Sequence, residues 1–268
     1  MEGIQSYVLN RFETFAMVVR PDPVSALTAQ KLREMLTDRG FREDPKEAVC
    51  VIVIGGDGTF LWAIHEYMES LRRRVFVGVH SGTLGFFMDY MDSEKEEFVE
   101  DMTRGMLQVE RYPVLEARTE GECLYAVNEV RIENPIRTQN ITVYLDGEKF
   151  EDFRGSGMCL CSQLGSGAYN RSLGGAVLQK GLRAIELAEI AGIHHSRFRS
   201  LGVPFVMSDR TRVTFVSEDF TGAVLGTDSS VMNLPPHARV EVRCSSDCPL
   251  QIVRGKKVSD FRRLERLF

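Results

Sequence analysis

The chain has 268 residues, 43% of them hydrophobic and 26% charged, which suffices for one large or two modest soluble domains with their own cores. No run of 18 apolar residues occurs, and the first twenty residues carry Glu2 and Glu13 without a long apolar core, so neither a membrane span nor a signal peptide is expected. The net charge of -5 excludes the basic footprint of a nucleic-acid binder, while small anionic ligands stay open because backbone N–H groups hold phosphates without net positive charge.

Residues 14–19 form a β-favouring run that stops at Arg20-Pro21-Asp22-Pro23. Apolar residues then recur at Val24, Leu27, Leu32, Met35 and Leu36, close to helical spacing, with Gly40 as a natural C-cap. Residues 48–54 are continuously apolar and rich in valine and isoleucine, as suits a strand buried on both faces of a parallel sheet. A glycine-rich turn follows, then a helical stretch through Leu61, Ile64 and Met68. Residues 75–79 read as another buried strand, and 94–102 as a polar helix that stops near Gly105. This alternation predicts an α/β domain over residues 1–105, with a parallel, Rossmann-like sheet.

From residue 106 the character changes. Short β-like runs dominate, at 125–132, 141–145, 158–162, 212–217, 238–244 and 250–253. Ile141, Val143 and Leu145 alternate with polar neighbours, and Asp146-Gly147 is a strong hairpin signal. Residues 106–250 therefore read as an antiparallel, all-β, sandwich-like domain. The segment 183–191 has helical spacing but is short, and its type stays open. Residues 251–268 form a tail of mixed basic and apolar side chains, expected to pack back on the first domain.

The six cysteines (Cys50, Cys123, Cys159, Cys161, Cys244 and Cys248) lack the paired C-x-x-C units of a zinc site. Reduced thiols with packing roles are expected, as in a cytoplasmic chain. Tandem His194-His195 reads as a solvated loop pair, because adjacent residues point to different faces of regular structure.

The chemistry starts at Gly55-Gly56-Asp57-Gly58-Thr59. A buried strand runs into a glycine-rich turn that opens a helix, and ligands bind at strand C-termini in α/β sheets. Glycines let the backbone approach phosphates, and a helix N-terminus favours negative charge. The turn is neither a Walker P-loop nor the G-x-G-x-x-G dinucleotide fingerprint. Phosphoryl transfer needs positioning, charge neutralisation and a group that accepts the attacking hydroxyl's proton, and Asp57 is placed for that last role. Magnesium, or another divalent metal, would bridge the donor phosphates, with no protein ligand assigned.

G-G-D-G-T after a buried strand is shared by NAD kinases, diacylglycerol and sphingosine kinases and, more distantly, phosphofructokinases. Three further segments narrow the resemblance. His80-Ser81-Gly82-Thr83-Leu84-Gly85-Phe86 is similar to the N-T-G-x-L-G-F loop of NAD kinases. Asn128-Glu129 stands at their N-E pair. Arg154-Gly155-Ser156-Gly157, followed by the run from Gly165 through Ser166-Gly167-Ala168-Tyr169-Asn170-Arg171-Ser172 to Ala176, resembles R-G-D-G and G-S-T-A-Y-N-x-S-L-G-G-A. Phe198-Arg199-Ser200-Leu201-Gly202-Val203-Pro204 continues the match. The pieces agree in order and spacing over roughly residues 48–206, and the chain resembles the bacterial NAD kinases.

That resemblance implies an ATP-dependent enzyme that phosphorylates the 2′-hydroxyl of the adenosine ribose of NAD to give NADP. It also implies an active site between two domains and homo-oligomers, dimers or tetramers, in which the region of Ala191 and Ile193 closes a neighbour's site. By the same resemblance Asp57 is the general base, with Gly55, Gly56, Gly58 and Thr59 at the phosphates. Asn128 and Glu129 hold ribose hydroxyls. Adenine lies near Phe86, Ala168 and Tyr169, with Ser166, Gly167, Asn170 and Ser172 close by, and Arg154 and Ser156 face the nicotinamide half.

The chain departs from the pattern at four places. Ser156 replaces the family's Asp, Gly167 its Thr, Gln163 its Pro, and His80 its Asn. A lost hydrogen bond costs about 0.5–1.5 kcal/mol, or about 1.5–3 to a charged group, so NAD binding is expected to weaken by about one to three decades. Two alternatives follow: a dinucleotide-binding sensor of the same fold with weakened catalysis, and a lipid kinase sharing G-G-D-G-T. The N-E pair and the absence of a basic amphipathic membrane helix argue against the latter.

Overall fold

The apolar run that ends at Ile54 becomes a strand because both its faces are covered. The structure is a computed structural model and describes residues 6–9, 12–82, 85–105, 107–194, 198–255, 259, 261 and 265. Its first elements are β1 (Ser6–Leu9), β2 (Thr14–Val19), α1 (Pro23–Asp38), β3 (Arg42–Glu43), β4 (Cys50–Gly55), α2 (Asp57–Glu66), a 3-10 turn (Met68–Arg73), β5 (Val75–His80), β6 (Tyr90–Met91) and α3 (Lys95–Arg104). Strands β5, β4, β2 and β3 lie side by side in that order, all parallel. Cys50, Ile52, Ile54, Val75, Val77 and Val79 share a core with Leu32 and Leu36 of α1 and Phe98 and Met102 of α3. The alternate residues serve the opposite face, where Phe60 of α2 lies 6.1 Å from Phe76, centroid to centroid. A helix on each face explains the unbroken apolar sequence of β4.

Local signals set the ends of α1. The Asp22 carboxylate accepts from the N–H groups of Val24 and Ser25, both at 3.0 Å, and Pro23 opens the first turn. Gly40, at φ 84°, ends it in the left-handed region.

The remaining elements are almost all strands: β7 (Leu107–Thr119), β8 (Glu122–Ala126), β9 (Glu129–Glu133), β10 (Gln139–Leu145), β11 (Glu148–Gly155), β12 (Gly157–Cys161), a 3-10 turn (Leu164–Gly167), α4 (Tyr169–Ser172), β13 (Ala184–Ile190), β14 (Phe205–Ser208), β15 (Val213–Val216), β16 (Val224–Thr227), β17 (Ser230–Asn233) and β18 (Arg239–Arg254). The chain parts into two compact units, one of Pro113–Asp247, the other of Glu2–Tyr112 with Cys248–Phe268. It passes from one to the other within β7 and again within β18.

In the unit Pro113–Asp247, β14, β13, β12, β9, β16 and β17 form one antiparallel sheet in that order. A second antiparallel layer runs β11, β10, β15 and the first part of β18. Val130, Leu160 and Leu187 of the first layer share a core with Val143, Phe215 and Val240 of the second, which makes a sandwich. The hairpin β10–β11 turns at Asp146 (φ 50°) and Gly147 (φ 90°), the two positive values of a type I′ turn. The run 125–132 is broken at Val127-Asn128 into β8 and β9. Within the segment 183–191 lies a strand, β13 (Ala184–Ile190), buried along both faces, so its sequence lacks the alternation that marks a half-buried strand.

In the other unit, Ile252 at the end of β18 pairs in parallel with Phe76 of β5. The Gln251 side-chain amide donates to the carbonyls of Leu71, Arg72 and Arg74. The expected tail 251–268 lies largely outside the described residues. All six cysteines are reduced thiols, and burial pushes those of Cys50, Cys159 and Cys161 well up. Among the described residues no helix is long and apolar enough to cross a membrane.

Ile52 is fully buried at the centre of the parallel sheet. Ile52→Ala is expected to cost about 3 kcal/mol, read as a lowered denaturant midpoint with an unchanged slope.

Candidate functional site

The turn after β4 places Asp57 at the first position of α2. Gly55, at φ 156°, brings the chain so close to α2 that an added Cβ would lie 2.5 Å from Thr59 Oγ1. Gly56 and Gly58 have nothing within 4 Å of an added Cβ, and no side chain caps the helix. The space beside the backbone at these two glycines is therefore open, which suits the close approach of an anionic group.

Two backbone donors fix the Asp57 carboxylate: the N–H of Phe86 reaches Oδ2 at 2.8 Å and that of Phe87 reaches Oδ1 at 2.9 Å. Gly85 makes this approach feasible, since a Cβ there would stand 2.3 Å from Asp57 Oδ1. Phe87 stacks on Phe60 of α2 at 5.1 Å, and Phe86 stands edge-on to Phe87 at 5.3 Å. The start of this loop is tied down by His80 Nδ1, which accepts from the Gly82 N–H at 2.6 Å, and by a 2.7 Å contact of the Ser81 and Ser25 hydroxyls. Thr83 and Leu84 lie outside the described residues.

In the other unit, Asn128 and Glu129 follow β8 and open β9. Their backbone is held on two sides. Asp228, in the β16–β17 turn, accepts from the N–H groups of Val127 (2.7 Å), Asn128 (2.7 Å) and Glu129 (3.2 Å). The Ser162 N–H donates to the Asn128 carbonyl at 2.8 Å and its hydroxyl to the Val127 carbonyl at 2.5 Å. Gly165 packs so tightly that a Cβ would lie 2.0 Å from the Asn128 carbonyl oxygen. Gly226-Thr227-Asp228-Ser229-Ser230 reads as a polar turn in the sequence, but nothing there connects it to residues 99 to 101 positions away.

Glu129 is 6% exposed, and its Oε2 has no hydrogen-bond partner among the described residues. Burial, reinforced by the Asp228 charge and opposed by Arg131, pushes its carboxyl up to about 7. Arg131 lies 3.9 Å from Glu129, 3.4 Å from Glu133 and 4.4 Å from the Tyr169 ring centroid, while the Tyr169 hydroxyl donates to Glu133 at 3.0 Å. Burial and the Glu133 carboxylate raise the phenol of Tyr169.

The other expected positions divide by exposure. Ala168 and Ser172 are exposed, and Gly167 is half-buried. Ser166 is buried, its hydroxyl donating to the Gln163 carbonyl and accepting from the Leu178 N–H. Asn170 is fully buried and donates to Glu186 at 2.8 Å. Ser156 sits between Gly155 and Gly157, and a Cβ on either would strike neighbouring backbone. Arg154 lies 5.1 Å from the Phe198 ring, and its carbonyl accepts from the N–H of exposed Ile193 at 2.7 Å. Ala191 takes the left-handed φ of 48°. His194 is exposed, 3.6 Å from Glu189, and His195 lies outside the described residues.

A scan against models of protein families finds no match. The chain is 40% identical over 199 residues to the NAD kinase of Geobacillus stearothermophilus, covering 72% of this chain and 73% of that protein. It is 32% identical over 237 residues to the NAD kinase of Lactobacillus delbrueckii subsp. bulgaricus, covering 86% and 89%. Yeast NADH kinase, solved with NADH, has the same fold (TM-score 0.81, 16% identity, 96% of this chain and 87% of that one). So does an NAD kinase from Archaeoglobus fulgidus solved with ATP (TM-score 0.78, 20% identity, 95% and 98%). The chain is thus a kinase, built as an α/β unit with an antiparallel β unit. More narrowly, it belongs to the NAD kinase family.

The raised Glu129 carboxyl predicts a stability signature. Between the ordinary glutamate range and about pH 7 the folded chain binds the extra proton, so stability falls as pH rises through this window. Glu129→Gln removes that penalty. The variant is expected to match the wild type near pH 4.5 and to exceed it by on the order of 2 kcal/mol above pH 8, measured by urea unfolding across pH without ligand.

Proposed function

We propose that this chain transfers the γ-phosphoryl group of ATP to the 2′-hydroxyl of the adenosine ribose of NAD, giving NADP, with Asp57 as general base. The observation that carries the reading is the pair of N–H groups from Phe86 and Phe87 on the Asp57 carboxylate, beside an open, uncapped helix N-terminus. Each carboxylate oxygen keeps a lone pair for the attacking hydroxyl's proton, and the two bonds hold it in one orientation. Gly55, Gly56, Gly58 and Thr59 supply backbone amides and a hydroxyl to phosphate oxygens.

In the β unit, Asn128 and Glu129 hold ribose hydroxyls, and the buried Oε2 of Glu129, without a hydrogen-bond partner among the described residues, would accept from one of them. Tyr169, Ala168 and Phe86 offer apolar surface to the adenine. Ser172 and Gly167 edge the same stretch, whereas Ser166 and Asn170 act by holding its loop in shape. Arg154 and Ser156 take the nicotinamide half, and Ala191 and Ile193 are presented to a second copy in a homo-oligomer, a dimer or tetramer. Among the described residues no group of three His, Cys, Asp or Glu side chains could hold a metal. The divalent metal, magnesium, would come with the ATP phosphates, where it would supply charge neutralisation. The free thiols accord with a cytoplasmic setting.

The first test is NADP formation from NAD, ATP and magnesium, read by an NADP-specific dehydrogenase. Asp57→Asn is expected to lower turnover by about 10²–10⁴-fold while NAD affinity by calorimetry stays near the wild-type value. A variant retaining most of the wild-type rate would remove Asp57 from the role of base. Gly85→Ala, which displaces the Asp57 carboxylate without changing its chemistry, is expected to lose more than about tenfold in kcat. Ser156→Asp is expected to tighten NAD binding by about tenfold, and unchanged affinity would place this residue away from the ligand.

A further inference from the structure

We infer that Asp228 is a positioning residue for the reaction: from the β16–β17 turn it aims the Asn128–Glu129 pair at the nucleotide through the backbone. The inference rests on the reading of that pair as the ribose holder.

Three consecutive N–H groups converge on one carboxylate, two on Oδ1 and one on Oδ2. Consecutive amides cannot all point one way in an extended strand, where they alternate, so this convergence marks a deliberate departure from the ladder between β8 and β9. The clamp is reciprocal, since the Asp228 N–H donates to the Glu129 carbonyl at 3.1 Å. Asp228 is 8% exposed and takes a φ of 53°, a region that non-glycine residues enter rarely, asparagine and aspartate more readily than most. A water-facing turn has no need of a buried charge. Here the charge satisfies amides that the strands leave over, and it holds a peptide whose other side is closed by Ser162 and Gly165.

The arrangement has a second effect. The groups facing Glu129 are Asp228 from the turn, Arg131 and Glu133 from its own strand, and the neutral thiols of Cys159 and Cys161 from β12. Asp228 is the strongest of the acids in raising the Glu129 carboxyl, ahead of Glu133, so one side chain both aims Glu129 and sets the pH at which it becomes a full acceptor.

Asp228→Asn tests both effects. The amide can still accept at one oxygen and tolerates the left-handed φ, but it turns an N–H₂ towards one of the three donors and removes the charge. We expect KM for NAD to rise by about tenfold, with kcat within about threefold and KM for ATP unchanged. KM for NAD in the wild type is expected to fall as pH rises through about 7, where Glu129 ionises. In Asp228→Asn the midpoint of that profile moves to lower pH. A merely structural loss would lower Tm and raise KM equally at every pH, so an unmoved midpoint, or an unchanged KM for NAD, overturns the inference. Asp228→Gly, which keeps the backbone conformation and deletes the side chain, should show the same pH shift, and a wild-type profile in this variant also overturns it. Glu129→Gln, measured in parallel, should flatten the profile. If it leaves both KM and its pH dependence unchanged, the reading of the pair as ribose holder fails, and the role of Asp228 with it.

Discussion

Everything proposed for the α/β unit depends on two backbone N–H groups meeting one carboxylate. Asp57 begins a helix that no side chain caps, and a flexible carboxylate there would turn back towards its first amides. The amides of Phe86 and Phe87 prevent this by holding both oxygens. The bond demands a glycine at 85, since any side chain would occupy the carboxylate's place. It also demands that the 86–87 peptide not move, which the stack of Phe87 on Phe60 secures from the same helix that carries Asp57. Carboxylate, donors and anchor thus form a closed circuit at the first turn of the helix.

The β unit solves a similar problem with the roles exchanged. There the carboxylate, Asp228, is the fixed support, and the backbone it grips is the part to be aimed. Burial of a second carboxylate, on the residue whose N–H donates to the same support, has a cost, visible in the raised Glu129 carboxyl. Ligand hydroxyls that donate to Glu129 would offset that cost.

Much of this was legible from residues alone. The apolar run into G-G-D-G-T announced a buried parallel strand opening on a helix, and Asp146-Gly147 announced its hairpin. The change from alternating helix and strand to short strands marked the two architectures. What stayed hidden shares one physical cause: it is carried by backbone groups or by burial, which residue identity does not encode. The donors to Asp57 are amides, the same whatever side chains follow Gly85. Asp228 looks like any turn aspartate until the fold brings residue 127 beside it. Asn170 reads as a polar loop residue, yet it is fully buried against Glu186. β13 escaped assignment because a strand covered on both faces loses its period of two.

The route of the chain has a consequence for biogenesis. β5 lies at Val75–His80, but the strand paired with it at Phe76 arrives only at Ile252, after the whole of Pro113–Asp247 has been made. On the ribosome, the α/β unit waits with the Phe76 end of that edge unpaired, β6 covering only Val79 and His80, while the β sandwich is synthesised. The sandwich is sequence-contiguous and can fold first. The final strand then closes the α/β unit, so the segment carrying Asp57 is completed last, and truncations near the C-terminus should act as folding lesions of the N-terminal sheet.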